Sequence, residues 1–133
     1  MRLCDLIPGP GIGASAWHVE MDGHGLLMDA GTHPKREGSA ALPLYDVSPE
    51  RPVDSIAITH CHHDHVGSLP VALRRFPRAH VMMTELSYFI VERVLHNSVN
   101  VMKRQAEELG VAGYPLYTHR ELDELAPLFQ GYR

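Results

Sequence analysis

The segment Thr59-His60-Cys61-His62-His63-Asp64-His65-Val66-Gly67 gathers four of the chain's ten histidines within six positions, with one aspartate among them. Imidazole nitrogens and a carboxylate oxygen are ligands for divalent cations, and their order here suits two ions. In extended backbone, residues i and i+2 point the same way, so His60 and His62 can present their rings to one ion while His63 faces elsewhere. A turn at His63-Asp64 swings Asp64 and His65 to a neighbouring position, and Gly67 gives the backbone room to make it. The donor set suits Zn²⁺ and would also hold Mn or Fe. Two such ions, about 3.5 to 4 Å apart, can lower the pKa of a bridging water and polarise a phosphoryl or carbonyl oxygen, which is hydrolytic chemistry at neutral pH. A histidine-rich tract can bind metal adventitiously, but here the order of the residues and their setting argue for a built site. The lack of thiolate pairs and the position on a loop favour an open, catalytic site over a closed structural one.

That loop needs elements to hold it. Val53 to Thr59 carries Val53, Ile56, Ala57 and Ile58 and reads as a buried strand ending where the histidines begin. Before it, Leu3 to Ile7, Ala16 to Met21 and Leu26 to Met28 read as short strands, with Asp22-Gly23 as a hairpin turn and Asp29 delivered to the end of the third. The glycines at 9, 11 and 13 read as a structural turn, since no helix or P-loop lysine follows them to make a phosphate cradle. Residues 32 to 52 have no periodicity and read as a long loop. After the motif, Ser68-Leu69-Pro70 signals a short helix with Ser68 as N-cap, closed by Pro77. A strand over 79 to 83 follows, then a long amphipathic helix from Glu85 to Leu109 ended by Gly110, with a bend near Asn97-Ser98. Thr118 and Glu121, at capping-box spacing, open a last helix carrying Leu122, Leu125 and Leu128.

Composition narrows the partners. The chain has 133 residues, 44% apolar and 21% charged, which is the balance of one globular unit. A net charge of −4 and a pI near 6.2 give no basic field that would gather nucleic acid by itself, so a phosphate-bearing substrate would need local attraction such as a metal. No apolar run approaches the roughly 20 residues of a membrane span, and the N-terminal residues lead into no signal core, so the expectation is a cytoplasmic protein without a membrane partner. Cys4 and Cys61 form no Cys-x-x-Cys pair, which argues against a disulfide framework, and Cys61 is expected to be packed.

The block THCHHDHVG resembles the His-x-His-x-Asp-His signature of the metallo-β-lactamase superfamily. The flanks GIGASAWHVEMDGHGLLMDAGTHP and DSIAITHCHHDHVGSLP, with Leu69-Pro70 and His33-Pro34, look like its β-CASP branch of RNA-processing nucleases, to which RNase J belongs. The resemblance covers roughly residues 8 to 90. It implies an α/β chain of the αββα sandwich class, with His60 and His62 on one zinc and Asp64 and His65 on the second. Asp64 would also help position the attacking water. It further implies that Asp29 supports the metal site by hydrogen bonding rather than by coordination, in keeping with a carboxylate that orients a ligand imidazole.

The complete fold of that superfamily needs a later aspartate and further histidines. His80, His96 and His119 fall in a strand, the long helix and a helix start, and none is assigned to the ions. Residues 1–133 are therefore expected to be the N-terminal half of the sandwich, inactive alone and possessing exposed faces that promote association or a homo-oligomer. The expected activity of the parent enzyme is hydrolysis of a phosphodiester, in RNA, by a zinc-activated water. Two alternatives stand beside it: hydrolysis of a thioester, lactone or lactam on the same site, or a non-catalytic, truncated metal-binding module. His33 reads as an ordinary loop histidine, and Trp17 and the apolar positions of the long helix as core.

Overall fold

The computed structural model describes residues 2–7, 14–33, 36, 38–45 and 52–132, without the side chains of 130–132. The glycine-rich turn at 9 to 13 and much of the loop over 32 to 52 lie outside the described residues. Among the described residues six strands form one sheet in sequential order: β1 (Arg2–Asp5), β2 (Trp17–Met21), β3 (His24–Met28), β4 (Ser55–Ile58), β5 (His80–Thr84) and β6 (Phe129–Tyr132). β1, β2 and β3 are antiparallel neighbours, whereas β3 to β6 run parallel. The β2–β3 hairpin turns at Asp22-Gly23, both at positive φ, as the dipeptide implies. Parallel strands need crossovers, and these supply the helices. The first two are α1 (His63–Val66) and α2 (Leu69–Arg75), between β4 and β5. The other two are α3 (Glu85–Leu109) and α4 (His119–Leu125), between β5 and β6.

One face of the sheet is the core. Leu27, Ile56, Ile58, Val81, Met83 and Phe129 alternate inward and meet Val66, Leu69, Leu73, Val91, Leu95, Val99 and Leu122 from the helices. The other face presents Leu3, Trp17, Met21 and Met28 to the outside. A helix layer on a sheet layer is half of a four-layer sandwich. Among the described residues no helix is long and apolar enough to cross a membrane.

Several sequence expectations need correction. Trp17 is not core: it is 38% exposed on the outward face, paired with Met28. Leu86, Phe89 and Leu109 of α3 are also exposed, because the stripe that meets the core runs through Ser87, Val91, Leu95, Ser98, Val99 and Met102. Bulk misidentified that face, since two of its positions are serines. α3 runs unbroken through Asn97-Ser98 and ends at Gly110 in the left-handed region, φ 67°. Its N-cap is Thr84, whose hydroxyl accepts from the Ser87 N–H. Thr118 caps α4 in the same way through the Glu121 N–H, but that helix stops at Leu125. Leu128 lies in a 3₁₀ turn around Pro127, and β6 then pairs with β5. Ser68 precedes α2 without capping it, because its hydroxyl is committed to the Gly31 carbonyl at 2.8 Å and to Tyr45 at 2.7 Å.

Candidate metal centre

The histidine motif begins where β4 ends and winds at once into the single turn α1. Three backbone hydrogen bonds seat that turn on the segment after β3 and its neighbour. The Ala30 N–H donates to the His65 carbonyl at 2.8 Å, the Ser68 N–H to the Ala30 carbonyl at 2.8 Å, and the Ser15 N–H to the Asp64 carbonyl at 2.9 Å. The approach is so close that a Cβ on Gly31 would stand 1.7 Å from the Asp64 carbonyl oxygen. Gly67 is required for the same reason. Its φ of −59° suits any residue, but a Cβ there would meet Thr32 Oγ1 at 2.4 Å and the His63 carbonyl oxygen at 2.6 Å.

His60, His62, Asp64 and His65 form a run of neighbours. The rings of His60 and His62 have centroids 4.0 Å apart, those of His60 and His65 5.4 Å, and His65 Nε2 lies 3.6 Å from Asp64 Oδ2. Donor atoms of His60, Cys61 and His62 all fall within 4.8 Å of one another, so Cys61 stands among the candidate ligands while packing against the core edge. His60 Nδ1 accepts from the His62 N–H at 3.2 Å. A neutral ring in that state carries its proton on Nε2, so binding an ion through Nε2 means giving up this contact.

Asp29 is buried at the end of β3 in the left-handed region, φ 65°, which aspartate tolerates better than most residues. Its Oδ1 accepts the Thr59 N–H at 2.7 Å, and its Oδ2 accepts the Thr59 hydroxyl at 2.6 Å and the Ser15 hydroxyl at 3.3 Å. The same Oδ2 lies 2.9 Å from His65 Nδ1. A carboxylate only accepts, so Nδ1 of His65 carries the proton and a neutral ring keeps its Nε2 lone pair on the side of Asp64. A ligand imidazole held this way is a common partner of zinc. The donor set therefore fits a divalent cation.

His63 points away from that group. Its Nδ1 lies 2.7 Å from Thr32 Oγ1 and its Nε2 2.8 Å from Ser98 Oγ, with Tyr117 3.1 Å from the same Ser98 oxygen and donating to the Gly67 carbonyl at 2.8 Å. Burial of the ring lowers the His63 pKa, with the nearby Asp64 charge working in the opposite direction, although part of the residue still opens onto a cleft. That cleft, about 450 Å³, lies between His63, Gly67, Thr32 and α3. None of His60, His62, Asp64 and His65 lines it, so it is not the cup for the ions.

The family model of the metallo-beta-lactamase superfamily matches residues 9–128. The chain belongs to that superfamily. Among curated members it is similar to endoribonuclease YSH1 of Gibberella zeae, 34% identical over 91% of this chain and 14% of that protein. It is also similar to cleavage and polyadenylation specificity factor subunit 3-I of Arabidopsis thaliana, 34% identical over 76% of the chain and 15% of that protein. A third relative is endoribonuclease YSH1 of Candida glabrata, 31% identical over 92% and 16% respectively. Within the superfamily the chain is similar to the β-CASP branch. It spans only 14 to 16% of their length. A solved archaeal superfamily protein from Sulfolobus tokodaii overlays with a TM-score of 0.46 and 19% identity, over 77% of this chain and 41% of that one.

Sequence reasoning passed over the residues that hold the superfamily motif in place: Thr59, Ser15, Thr32, Ser98 and Tyr117. Thr59 had a signal, since it directly precedes the motif. The others are polar residues of ordinary type whose importance comes from distant strands and helices folding beside α1.

Proposed function

We propose that this chain is the ligand-bearing N-terminal half of the metallo-β-lactamase sandwich of a zinc-dependent ribonuclease, with His60 and His62 holding one ion and Asp64 and His65 the other. The observation that carries the reading is the Asp29–His65 hydrogen bond, which turns a ligand-type lone pair toward Asp64 within a run of three imidazoles. The endoribonuclease names of the relatives support RNA as the substrate. When bound, zinc supplies a water nucleophile at neutral pH and positive charge beside a phosphoryl oxygen. Asp64, half-exposed at the rim, would hold the second ion and help position that water. Asp29 fixes the tautomer and direction of His65, and Thr59 keeps the Asp29 carboxylate in place. His63 anchors the turn and stays out of the chemistry.

In this reading each ion has only two of its ligands here, so the 133-residue chain alone is inactive. The assay belongs to a longer polypeptide carrying the chain at its N-terminal end, with a labelled single-stranded RNA and zinc. Cleavage that falls at least about 100-fold in both His62→Ala and Asp64→Asn is the expected result. RNA cleavage untouched by either substitution, or hydrolysis of thioester, lactone or lactam substrates with none of RNA, would contradict it.

A further inference from the structure

We infer that the facing sides of α3 and α4 carry a separate divalent-cation site, formed by Glu92, His96 and Asp123 and oriented by His119 and Asn100. Glu92 and His96 stand one turn apart on α3 and so share a face, while Asp123 comes from α4. Their donor atoms all lie within 4.8 Å of one another.

The hydrogen bonds around the cluster decide where its protons are. Asn100 Oδ1 can only accept, and it lies 2.8 Å from His119 Nε2, so that nitrogen carries the proton. A neutral His119 then offers Nδ1 as an acceptor. His96 Nδ1 is 2.6 Å away, with the two ring planes within 13° of each other and the centroids 4.9 Å apart, and must therefore donate. A neutral His96 is left with its Nε2 lone pair facing Asp123 Oδ1 at 3.3 Å and Glu92 Oε1 at 3.8 Å. Three lone-pair donors converge with no hydrogen between them.

Either a proton on Nε2 or a cation fills that gap. A charge-assisted N–H···O bond closes to about 2.7 to 2.9 Å, shorter than either separation. Ligands bonded at about 2.1 Å in a tetrahedron stand about 3.4 Å from one another, close to the 3.3 Å between His96 Nε2 and Asp123 Oδ1, with Glu92 Oε1 farther from Nε2 at 3.8 Å. One imidazole with two carboxylates suits Zn²⁺ or Mn²⁺, whereas Ca²⁺ takes oxygen ligands. The ion would staple α4 to α3, beside the Arg74–Glu121 ion pair that already ties α4 to α2.

The test uses the full chain carrying His62→Ala and His65→Ala, which leaves each ion of the histidine motif a single one of its two ligands. One equivalent of Zn²⁺ should bind and, in roughly hundredfold excess over its Kd, raise Tm by about 4 °C or more, with no response to Ca²⁺. Asp123 is largely exposed, so Asp123→Asn should leave the fold intact yet weaken zinc binding at least about tenfold. Absence of zinc binding, or binding indifferent to Asp123→Asn, overturns the assignment. If the double variant does not fold, the comparison is made in the wild-type motif, where Asp123→Asn must remove one bound zinc equivalent. An unchanged count overturns the assignment.

Discussion

Replacing Asp29 by alanine strips the partner from four donors at once, the Thr59 N–H, the hydroxyls of Thr59 and Ser15, and His65 Nδ1. The expected outcome is a loss of zinc affinity of about 10- to 100-fold, read by competition with a chromophoric chelator. His63→Ala should behave differently. It leaves the Thr32 and Ser98 hydroxyls without their ring partner, so stability should fall by about 1 to 3 kcal/mol in urea denaturation. The number of zinc ions bound should not change. The pair separates residues legible in the sequence from those that were not. Spacing alone distinguishes His63 from its neighbours, because in extended backbone it faces away from His60 and His62. The family resemblance supplies Asp29. That His63 anchors the turn is invisible without knowing that Ser98, 35 residues later, lies on the inward stripe of α3.

Among the elements, α1 depends on the segment after β3 more than on its own four residues. Gly31→Ala puts a methyl group into the Asp64 backbone, which cannot swing aside as a flexible side chain can. The substitution should cost about 1 to 3 kcal/mol in the same denaturation experiment and weaken zinc binding through the displaced turn. The link from α1 to α3 and α4 shows in alkali. Burial, countered by the Ser98 hydrogen bond and aided by Tyr114, pushes the Tyr117 pKa up from 10.0 to about 12. Unfolding therefore releases a proton between those values, and stability present below pH 10 should be lost as pH rises toward 12. Buried Tyr45 is pushed up too and steepens the loss. Tyr117→Phe should make the alkaline limb of a Tm-against-pH curve shallower by one proton. Strand and helix positions followed from apolar runs, Asp22-Gly23, Gly110 and the Thr118 cap. β6 did not, because Phe129–Tyr132 is four residues long and acquires strand character only by pairing with β5.

At the scale of the molecule, the outward sheet face with Leu3, Trp17, Met21 and Met28 is apolar surface on open strands. The chain should self-associate, and Trp17→Lys with Met28→Glu should shift its sedimentation distribution toward monomer without altering its helical circular dichroism. Trp17 was misread as core because apolar character on a strand says nothing about which face is covered. The proposed function rests instead on the histidine motif. Crystals of the chain grown with zinc, measured on both sides of the zinc absorption edge, test it most directly. An anomalous peak about 2.1 Å from ring nitrogens of both His60 and His62, with the Asp29–His65 bond kept, is the result the account requires. A fully zinc-loaded crystal with no peak at those rings would contradict it.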